Sequence, residues 1–365
     1  MPQLSRKPIG VADVTAVARA GEPVSLTSVV ERDLAASYSL LEAARAEGMT
    51  LPSTARVPAA HLSEEETRAA VFARLVGISR GGSGTDPALA HEIVSALNRG
   101  ISLPVDVSSA AIGVGALVVD QLARLVNASD FAVALSVSAL RATGAGGSAA
   151  PFSAQVQSAH RSVGQAASAA RIGSLLTDLD AATTDPIAFR SAPQVNGALA
   201  EAVTALAAAV TLELNSRADD PLVDLDTGSV VRGGNSELVG LTLAFERVRL
   251  ALAHVAAASE ARASVVQSAL VEAPVVYSVH VGGRENAVDP LGTLHLLQLS
   301  LTVTLDLLSD EAEVAAGVAQ ASVLSPPLAA YAEALAGSYA PDTLLAAANP
   351  VRSEEPTIEA LDDEI

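Results

Sequence analysis

Residues 240–268 read GLTLAFERVRLALAHVAAASEARASVVQS, and this stretch decides the fold class. Its apolar residues recur three and four positions apart, which is the spacing of neighbours on one face of an α-helix. Glu246, Arg247 and Arg249 turn away from that face. The sequence therefore predicts a long helix with one buried side, formed by Leu241, Ala244, Phe245, Val248, Leu252, Val255 and Ala256.

The composition favours the same all-α class. Half of the 365 residues are hydrophobic, yet only 2% are aromatic and tryptophan is absent, so the apolar volume comes mainly from Ala, Val and Leu. Alanine and leucine are strong helix formers, whereas a β-sandwich or barrel needs more Thr, Tyr, Phe and Trp. Further long helices are predicted at about 109–126, 130–141, 164–181 and 196–214.

The charge and the cysteine count exclude several classes of function. Lys and Arg total 22 while Asp and Glu total 41, so the formal net charge is −19. Phosphate groups are bound by clustered cations, so nucleic acid and anionic membrane surfaces are not expected partners. The absence of cysteine excludes disulfides, thiolate metal sites and a cysteine nucleophile.

No targeting or membrane-spanning segment is predicted, and a cytoplasmic location is expected. The first residues carry two cations, but no apolar block of roughly 7–15 residues follows them. The most apolar stretches, 110–119 and 198–212, fall short of the ~20 apolar residues that span a bilayer. The chain after Asn349 is acidic, and residues 351–365 are predicted to be a solvated tail.

Polar loops interrupt the apolar helices at four places. They are rich in Gly, Asn, Asp and Arg and cover 80–86, 185–197, 215–235 and 277–292. Binding and catalytic residues lie disproportionately on loops that a rigid scaffold positions. The functional site is therefore expected to be built from these loops.

Five segments, most of them in these loops, match known sequence motifs. In each pair that follows, the segment of this chain comes first and the motif second: LVGISRGGSG at 75–84 with LNALxRGxSG, LNRGI at 97–101 with LLNxGI, DPIAFRSAPQVNG at 185–197 with QDPYSLRCxPQVxG, ELNSRADDPLV at 213–223 with ELNSxxDNPL, and RGGN at 232–235 with GGNFHG. The motifs are those of the histidine/phenylalanine ammonia-lyase family, the aromatic amino acid lyases, and because they occur here in the family's order, the chain resembles that family.

The resemblance implies a fold and an assembly. The fold would be all-α and ammonia-lyase/fumarase-like, with long helices in a central bundle and a single such domain over residues 1–350. The family forms tetramers, so a homo-oligomer, specifically a homotetramer, is expected. The alanine-rich helices favour this independently, because faces of small residues bury little area each and need wide contacts.

The family's electrophile is predicted to be missing. In the family a methylidene-imidazolone group forms from an Ala-Ser-Gly segment and drives elimination of ammonia. The matching stretch here places Ile112, Gly113 and Val114 at those three positions. Gly113 has no hydroxyl to lose, so the group cannot form there and no cofactor is expected. The tyrosine of the family's QDPYSLR motif is also replaced, by Ile187, and a second family tyrosine has no counterpart near residues 51–54.

The resemblance also carries over residues that would hold the substrate. Arg190 matches an arginine that pairs with the substrate carboxylate, for which a planar guanidinium is well suited. Gln194 and Asn215 match amides that hydrogen-bond substrate or cofactor oxygens. Ile112 and Val114 would form an apolar wall in place of the electrophile. The structural alternatives are an interhelical ion pair for Arg190 and helix capping for the two amides.

Candidate catalytic residues lie in the 277–292 loop. Glu285 matches the glutamate of the family's GQEDH loop. Tyr277 and His280 are new relative to the family pattern, and both are acid–base side chains of enzymes working near neutral pH. The structural alternatives are ring packing for the tyrosine, capping for the histidine and a solvated carboxylate for the glutamate.

Two other motifs are weaker. Residues 80–84, RGGSG, could hold an anion through backbone amides, but they lack the spacing of a P-loop or a dinucleotide fingerprint. Asp219, Asp220, Asp224 and Asp226 lack the spacing of a calcium-binding loop, so no metal site is predicted.

Two hypotheses of function follow. The first is an ammonia-lyase-like enzyme that lacks the electrophile and performs acid–base elimination, isomerisation or cyclisation of a small hydrophobic carboxylate or carbonyl compound, in specialised biosynthesis. The second is a non-catalytic pseudoenzyme that serves as a binding or scaffold partner.

Overall fold

The structure is a computed structural model that describes residues 3–51, 56–57, 61–176, 185–270, 290–319, 324–335 and 338–348. Helices dominate these residues, so the all-α prediction is confirmed. The helices are α1 Val11–Ala20, α2 Ser28–Ala46, α3 Glu64–Ser79, α4 Pro87–Arg99, α5 Val107–Ala142, α6 Ala154–Gln157, α7 Val163–Leu175, α8 Ile187–Arg190, α9 Ala192–Leu214, α10 Val239–Leu270, α11 Pro290–Val318, α12 Pro326–Leu335 and α13 Pro341–Ala347.

The strands of the described part are short and form three two-stranded ladders. They are β1 Gln3–Leu4, β2 Ser25–Leu26, β3 Arg56–Val57, β4 Val105–Asp106, β5 Leu222–Asp224 and β6 Ser229–Val231. Strands β1 and β2 are parallel, whereas β3 pairs antiparallel with β4 and β5 pairs antiparallel with β6. The last pair is a hairpin within the polar connection that precedes α10.

The chain forms two compact units, each made of three stretches. The first comprises Met1–Asp120, Ala202–Val248 and Gly283–Gln298, and the second comprises Gln121–Glu201, Arg249–Gly282 and Leu299–Ile365. The single domain expected over 1–350 stays a prediction.

Helix α3 is the buried centre of the first unit. Its start is fixed by a capping box, in which the Ser63 hydroxyl accepts from the Glu66 amide and the Glu66 carboxylate accepts from the Ser63 amide. Most of its following residues are buried, and the helix packs against α1, α2 and α4. Residues of α5 lie directly against its backbone at Ala69 and Ala70. Helix α3 therefore positions the start of α5.

The second unit has a core that contains two buried polar clusters. Arg262 on α10 forms a bidentate ion pair with Glu311 on α11, and both side chains are fully buried. Asp130 on α5 accepts hydrogen bonds from Ser168, Arg171 and Asn196. Buried charges of this kind are stable only when they are paired and hydrogen-bonded.

Most predicted helices agree with the structure, but α7 ends at Leu175 and not near 181, the predicted loop 185–197 contains α8 and the start of α9, and α5 also differs. The 240–268 prediction corresponds to α10, and its apolar face is buried as expected. The predicted break between 126 and 130 is wrong, because α5 is one 36-residue helix. Ser129 donates back to the carbonyl of Val126 within the helix, and Asp130 bonds to neighbouring helices instead of capping a new one.

Helices α5 and α9 are long and apolar enough, by length and composition alone, to cross a bilayer. In α5, 72% of the apolar window is buried inside the fold, which is typical of a core helix. In α9 the share is only 39%. Helix α9 therefore keeps an open apolar face.

Candidate functional site

A polar cavity of about 450 Å³ lies in the first unit at the start of α5. Helix α3 lines one side, β4 and the first turns of α5 line another, and residues 213–220 and 236–237 complete it. Ile112, one of the predicted wall residues, faces this cavity. The cavity thus lies against the segment that was matched to the family's electrophile segment.

Arg74 on α3 is the cation of the cavity lining, and carboxylates already neutralise it. Its Nη1 donates to Asp219 Oδ1 at 2.6 Å, and its Nε lies 3.7 Å from Asp106 Oδ2. Burial alone would lower the pKa of Arg74, but the charges of Asp219 and Asp106 outweigh burial and raise it. Arg74 therefore orders the cavity and is not free to bind a further carboxylate.

Asp106 caps α5 and fixes where the helix begins. Its Oδ1 accepts from the Ser109 amide at 2.7 Å and its Oδ2 accepts from the Ser109 hydroxyl at 2.8 Å. A carboxylate at this position satisfies an amide of the first turn and interacts favourably with the helix dipole. The first turn of α5 is held rigidly at the edge of the cavity as a result.

Glu213, near the end of α9, is a titratable group of the cavity with a shifted pKa. Burial raises the pKa of its carboxyl above the ordinary value. A half-buried carboxyl with a raised pKa can both hold and accept a proton nearer neutral pH. The cavity also contains Ser108 and Ser216, which supply hydroxyl groups.

Gly113 does not fit the serine that the family's prosthetic group requires. A Cβ on Gly113 would lie 2.5 Å from the Ala69 carbonyl carbon and 2.6 Å from the Ala70 nitrogen, and it would also meet the Ala69 carbonyl oxygen. These atoms belong to the backbone of α3, which cannot move aside as a flexible side chain can.

Asn215 is fully engaged with other parts of the first unit. Its Oδ1 accepts from the Ile9 amide at 2.8 Å and from Arg80 Nη2 at 2.6 Å. Its Nδ2 donates to the carbonyls of Ile9 and Thr211. These contacts tie the N-terminal segment to the end of α9, and they favour the structural alternative for this amide.

The other predicted residues fall in different parts of the chain. Arg190 and Gln194 are exposed and belong to the second unit, where Arg190 Nε donates to the Asp185 carbonyl at 2.8 Å. Val114 is buried in the first unit and is not part of the cavity lining. The prediction that Arg190, Gln194 and Asn215 hold one substrate together is not tested by these contacts and stays a prediction.

The predicted catalytic residues lie outside the described residues. They are Tyr277, His280 and Glu285, and their roles also stay predictions.

Sequence reasoning missed Arg74 and Asp106. The signal for Arg74 was available, because it is the one charged residue in the apolar run from Ala69 to Val76. A charged residue in such a run is rarely buried without a partner. The partner could not be identified from the sequence, since Asp219 lies far along the chain.

Comparison with known proteins supports the resemblance. Residues 105–276 match the family model described as aromatic amino acid lyase. Over these residues, slightly under half of the chain, the protein is similar to the aromatic amino acid lyase family. Histidine ammonia-lyase of Anaeromyxobacter sp. (strain K) is 32% identical over 192 residues, which cover 50% of this chain and 37% of that enzyme. The match thus spans little more than a third of that relative's length.

Two solved structures share the fold. Ergothionase from Treponema denticola, in complex with desmethyl-ergothioneine sulfonic acid, superposes with a TM-score of 0.76 at 16% identity, covering 96% of this chain and 98% of that one. Tyrosine aminomutase from Streptomyces globisporus has a TM-score of 0.76 at 17% identity, covering 95% and 96%. At this identity the likeness establishes the ammonia-lyase-like fold alone.

Proposed function

We propose that this protein is an ammonia-lyase-like enzyme that works without the methylidene-imidazolone electrophile, by acid–base chemistry on a small hydrophobic carbonyl or carboxylate compound. The observation that carries the proposal is the cavity at the start of α5, with Glu213 and Ile112 in its lining. We further propose a cytoplasmic homo-oligomer with a biosynthetic role.

Two facts support the absence of the electrophile. A serine side chain has no room at Gly113, since the backbone of α3 occupies the space. A register shifted toward the C-terminus does not restore the serine, because residues 110–128 contain none, and Ser108 and Ser109 upstream do not lie in an Ala-Ser-Gly sequence. Chemistry that needs the electrophile is therefore not expected in this stretch.

The charges of the cavity favour a carbonyl compound over a carboxylate. One arginine and five carboxylates line it, and Arg74 is already paired. A bound carboxylate would be repelled by the excess negative charge. A carbonyl compound with an acidic C–H has no such cost, and Glu213 could take its proton once ionised. Ile112 would contact the apolar part of the substrate.

Proton abstraction is the step shared by elimination, isomerisation and cyclisation, so it provides a general test. Candidate β-keto acids, thioesters and aryl carboxylates are incubated with the protein in D₂O, and loss of the substrate C–H signal is followed by proton NMR. Exchange is expected for at least one carbonyl compound with the wild type, and Glu213→Gln should remove it. Glu42→Gln, on the exposed surface of α2, is the matched control and should retain it.

Mass spectrometry of ligands that remain bound through purification identifies candidates for that panel. The pseudoenzyme alternative predicts no exchange for any compound and no retained small molecule. Exchange that persists unchanged in Glu213→Gln would contradict the role given to this carboxyl. In that case the proton would have to be taken by another group.

A further inference from the structure

A second cavity, of about 400 Å³, lies in the first unit between the N-terminal segment and the loop that follows α3. Its lining shares no residue with the cavity at the start of α5. The polar residues that line it include Arg6, Arg80, Arg217, Asp33, Asp226 and Asn215. Three arginines and two carboxylates line this cavity, whereas carboxylates outnumber cations in the chain as a whole.

Arg80 follows α3 directly, and its guanidinium has no carboxylate partner among the described residues. Its Nη1 donates to the Lys7 carbonyl at 3.0 Å and its Nη2 donates to Asn215 Oδ1 at 2.6 Å. Its Nε is buried and has no hydrogen-bond acceptor in the described structure. Burial lowers the pKa of Arg80, and no neighbouring negative charge reverses that shift.

The remaining charges leave this cavity positive. Arg6 is occupied by Asp33, to which its Nε and Nη2 donate at 3.1 and 2.9 Å. Arg80 and Arg217 then face Asp226 in the lining, and Asp224, outside the lining, interacts electrostatically with Arg217 but not with Arg80. In a chain of formal charge −19, a locally positive cavity is not explained by the overall composition.

We propose that this cavity binds a small oxyanion, a carboxylate or a phosphate, through Arg80 and Arg217. A half-buried guanidinium without a counter-charge carries a desolvation cost, and an anion that enters the cavity reduces that cost. The planar donors of arginine match the paired oxygens of either anion. The volume admits a ligand the size of a small organic acid.

The oxyanion would be bound by arginine side chains and not by the backbone amides of the RGGSG loop, residues 80–84. The Arg80 amide donates to the Gly77 carbonyl and the Gly81 amide donates to the Ile78 carbonyl, which closes the end of α3. Gly81 and Gly84 have φ of +76° and +60°, so these glycines serve the turn. The loop thereby places the Arg80 side chain at the cavity.

Anion titration tests the proposal with three proteins. Isothermal titration calorimetry is done with sodium phosphate and with sodium succinate, at an ionic strength held constant with sodium chloride. The wild type is expected to bind at least one of them, and the tighter one identifies the chemical source of the oxyanion. Arg217→Gln should weaken binding about tenfold, because one charge-assisted contact is lost. Arg45→Gln removes an exposed arginine of α2 outside this cavity and should bind like the wild type.

The thermal midpoint gives an independent readout, since an anion that binds only the folded state raises it with concentration. Arg80→Lys keeps the charge but loses the planar donors, so its anion-dependent rise should be smaller than that of the wild type. No heat of binding for either anion, or equal affinity in the wild type and Arg217→Gln, would overturn the proposal. The proton-exchange experiment with Glu213→Gln tests the cavity at the start of α5, so failure of one proposal does not imply failure of the other.

Discussion

Gly113 on α5 lies against Ala70 on α3 so closely that a Cβ on the glycine would be 2.6 Å from the Ala70 nitrogen. Real Cβ atoms do not approach backbone atoms to that distance. The two helices can be this close only because the residue at 113 has no side chain. Gly113, which occupies the position of the family's serine, is thus required by the packing of α3 against α5.

Gly113→Ser tests this packing. We expect it to lower the free energy of unfolding by about 1–3 kcal/mol or more, because α3 and α5 must separate to admit the side chain. Urea unfolding measures the loss, and the intact mass should show no dehydration beyond the substitution itself. Gly240→Ala, where an added Cβ meets nothing within 4 Å, is the control and should stay within about 0.5 kcal/mol of the wild type. A stable variant that carries the dehydrated group would contradict this interpretation.

The fold was predictable from the sequence where burial follows helical periodicity. Helix α10 is the clearest case, since its apolar face repeats without interruption. The break predicted near Asn127 failed for a physical reason: Ser129 and Asp130 look like capping residues, but tertiary partners satisfy them inside a continuous helix. The local sequence does not show which polar residues will hydrogen-bond to residues far away in the chain.

The site was predictable only in part. Ile112 was found through the resemblance, and it does face the cavity. Asn215 was expected to contact substrate, but Ile9 and Arg80 occupy its amide. A motif identifies a residue type at a position, whereas the partners of that residue depend on segments far away in sequence. The pairing of Arg74 with Asp219 could not be predicted for the same reason.

The buried pair Arg262–Glu311 should dominate the stability of the second unit. Glu311 also accepts from the hydroxyls of Ser136 and Ser259, so its replacement leaves the buried Arg262 without a counter-charge and disturbs both hydroxyl contacts. We expect Glu311→Gln to lower the free energy of unfolding by about 3–5 kcal/mol. The exposed pair of Glu42 with Arg45 is the comparison, and Glu42→Gln should cost no more than about 0.5 kcal/mol. Equal costs in urea unfolding would contradict the importance assigned to burial.

The protein is expected to be a homo-oligomer. Val239, Leu243 and Leu250 share one face of α10 and are 60%, 60% and 57% exposed within one chain. Large apolar side chains along one helix face are typical of a surface that another chain covers. Light scattering should give a multiple of 36.8 kDa, and Leu243→Glu with Leu250→Glu should lower it. Leu89→Glu, at an exposed leucine of α4, is the control, and a wild-type monomer at micromolar concentration would contradict the prediction.

Arg190 is predicted to bind substrate although it lies in the second unit. Its side chain is exposed and its Nε donates to the Asp185 carbonyl of the same unit, so Arg190→Ala should change the oligomer little. The variant should lose the small molecule retained by the wild type in native mass spectrometry. His91→Ala, at an exposed position of α4, should lose nothing. If Arg190→Ala retains the small molecule fully, Arg190 does not bind it and its role is structural.

Glu213 should make stability depend on pH in a definite direction. Burial raises its folded pKa above the ordinary value of 4.5, so the folded state holds this proton more tightly than the unfolded chain does. The resulting stabilisation is full below pH 4.5 and is lost as the pH rises through the raised pKa, above which the buried carboxylate is a penalty. Glu213→Gln should therefore match the wild type in acid and become the more stable protein at neutral pH. Urea unfolding across this range measures the difference. Ser216→Ala changes the same cavity without removing a titratable group, so its change in the free energy of unfolding should not vary with pH. If the change caused by Glu213→Gln is also constant with pH, the carboxyl does not titrate as its burial requires.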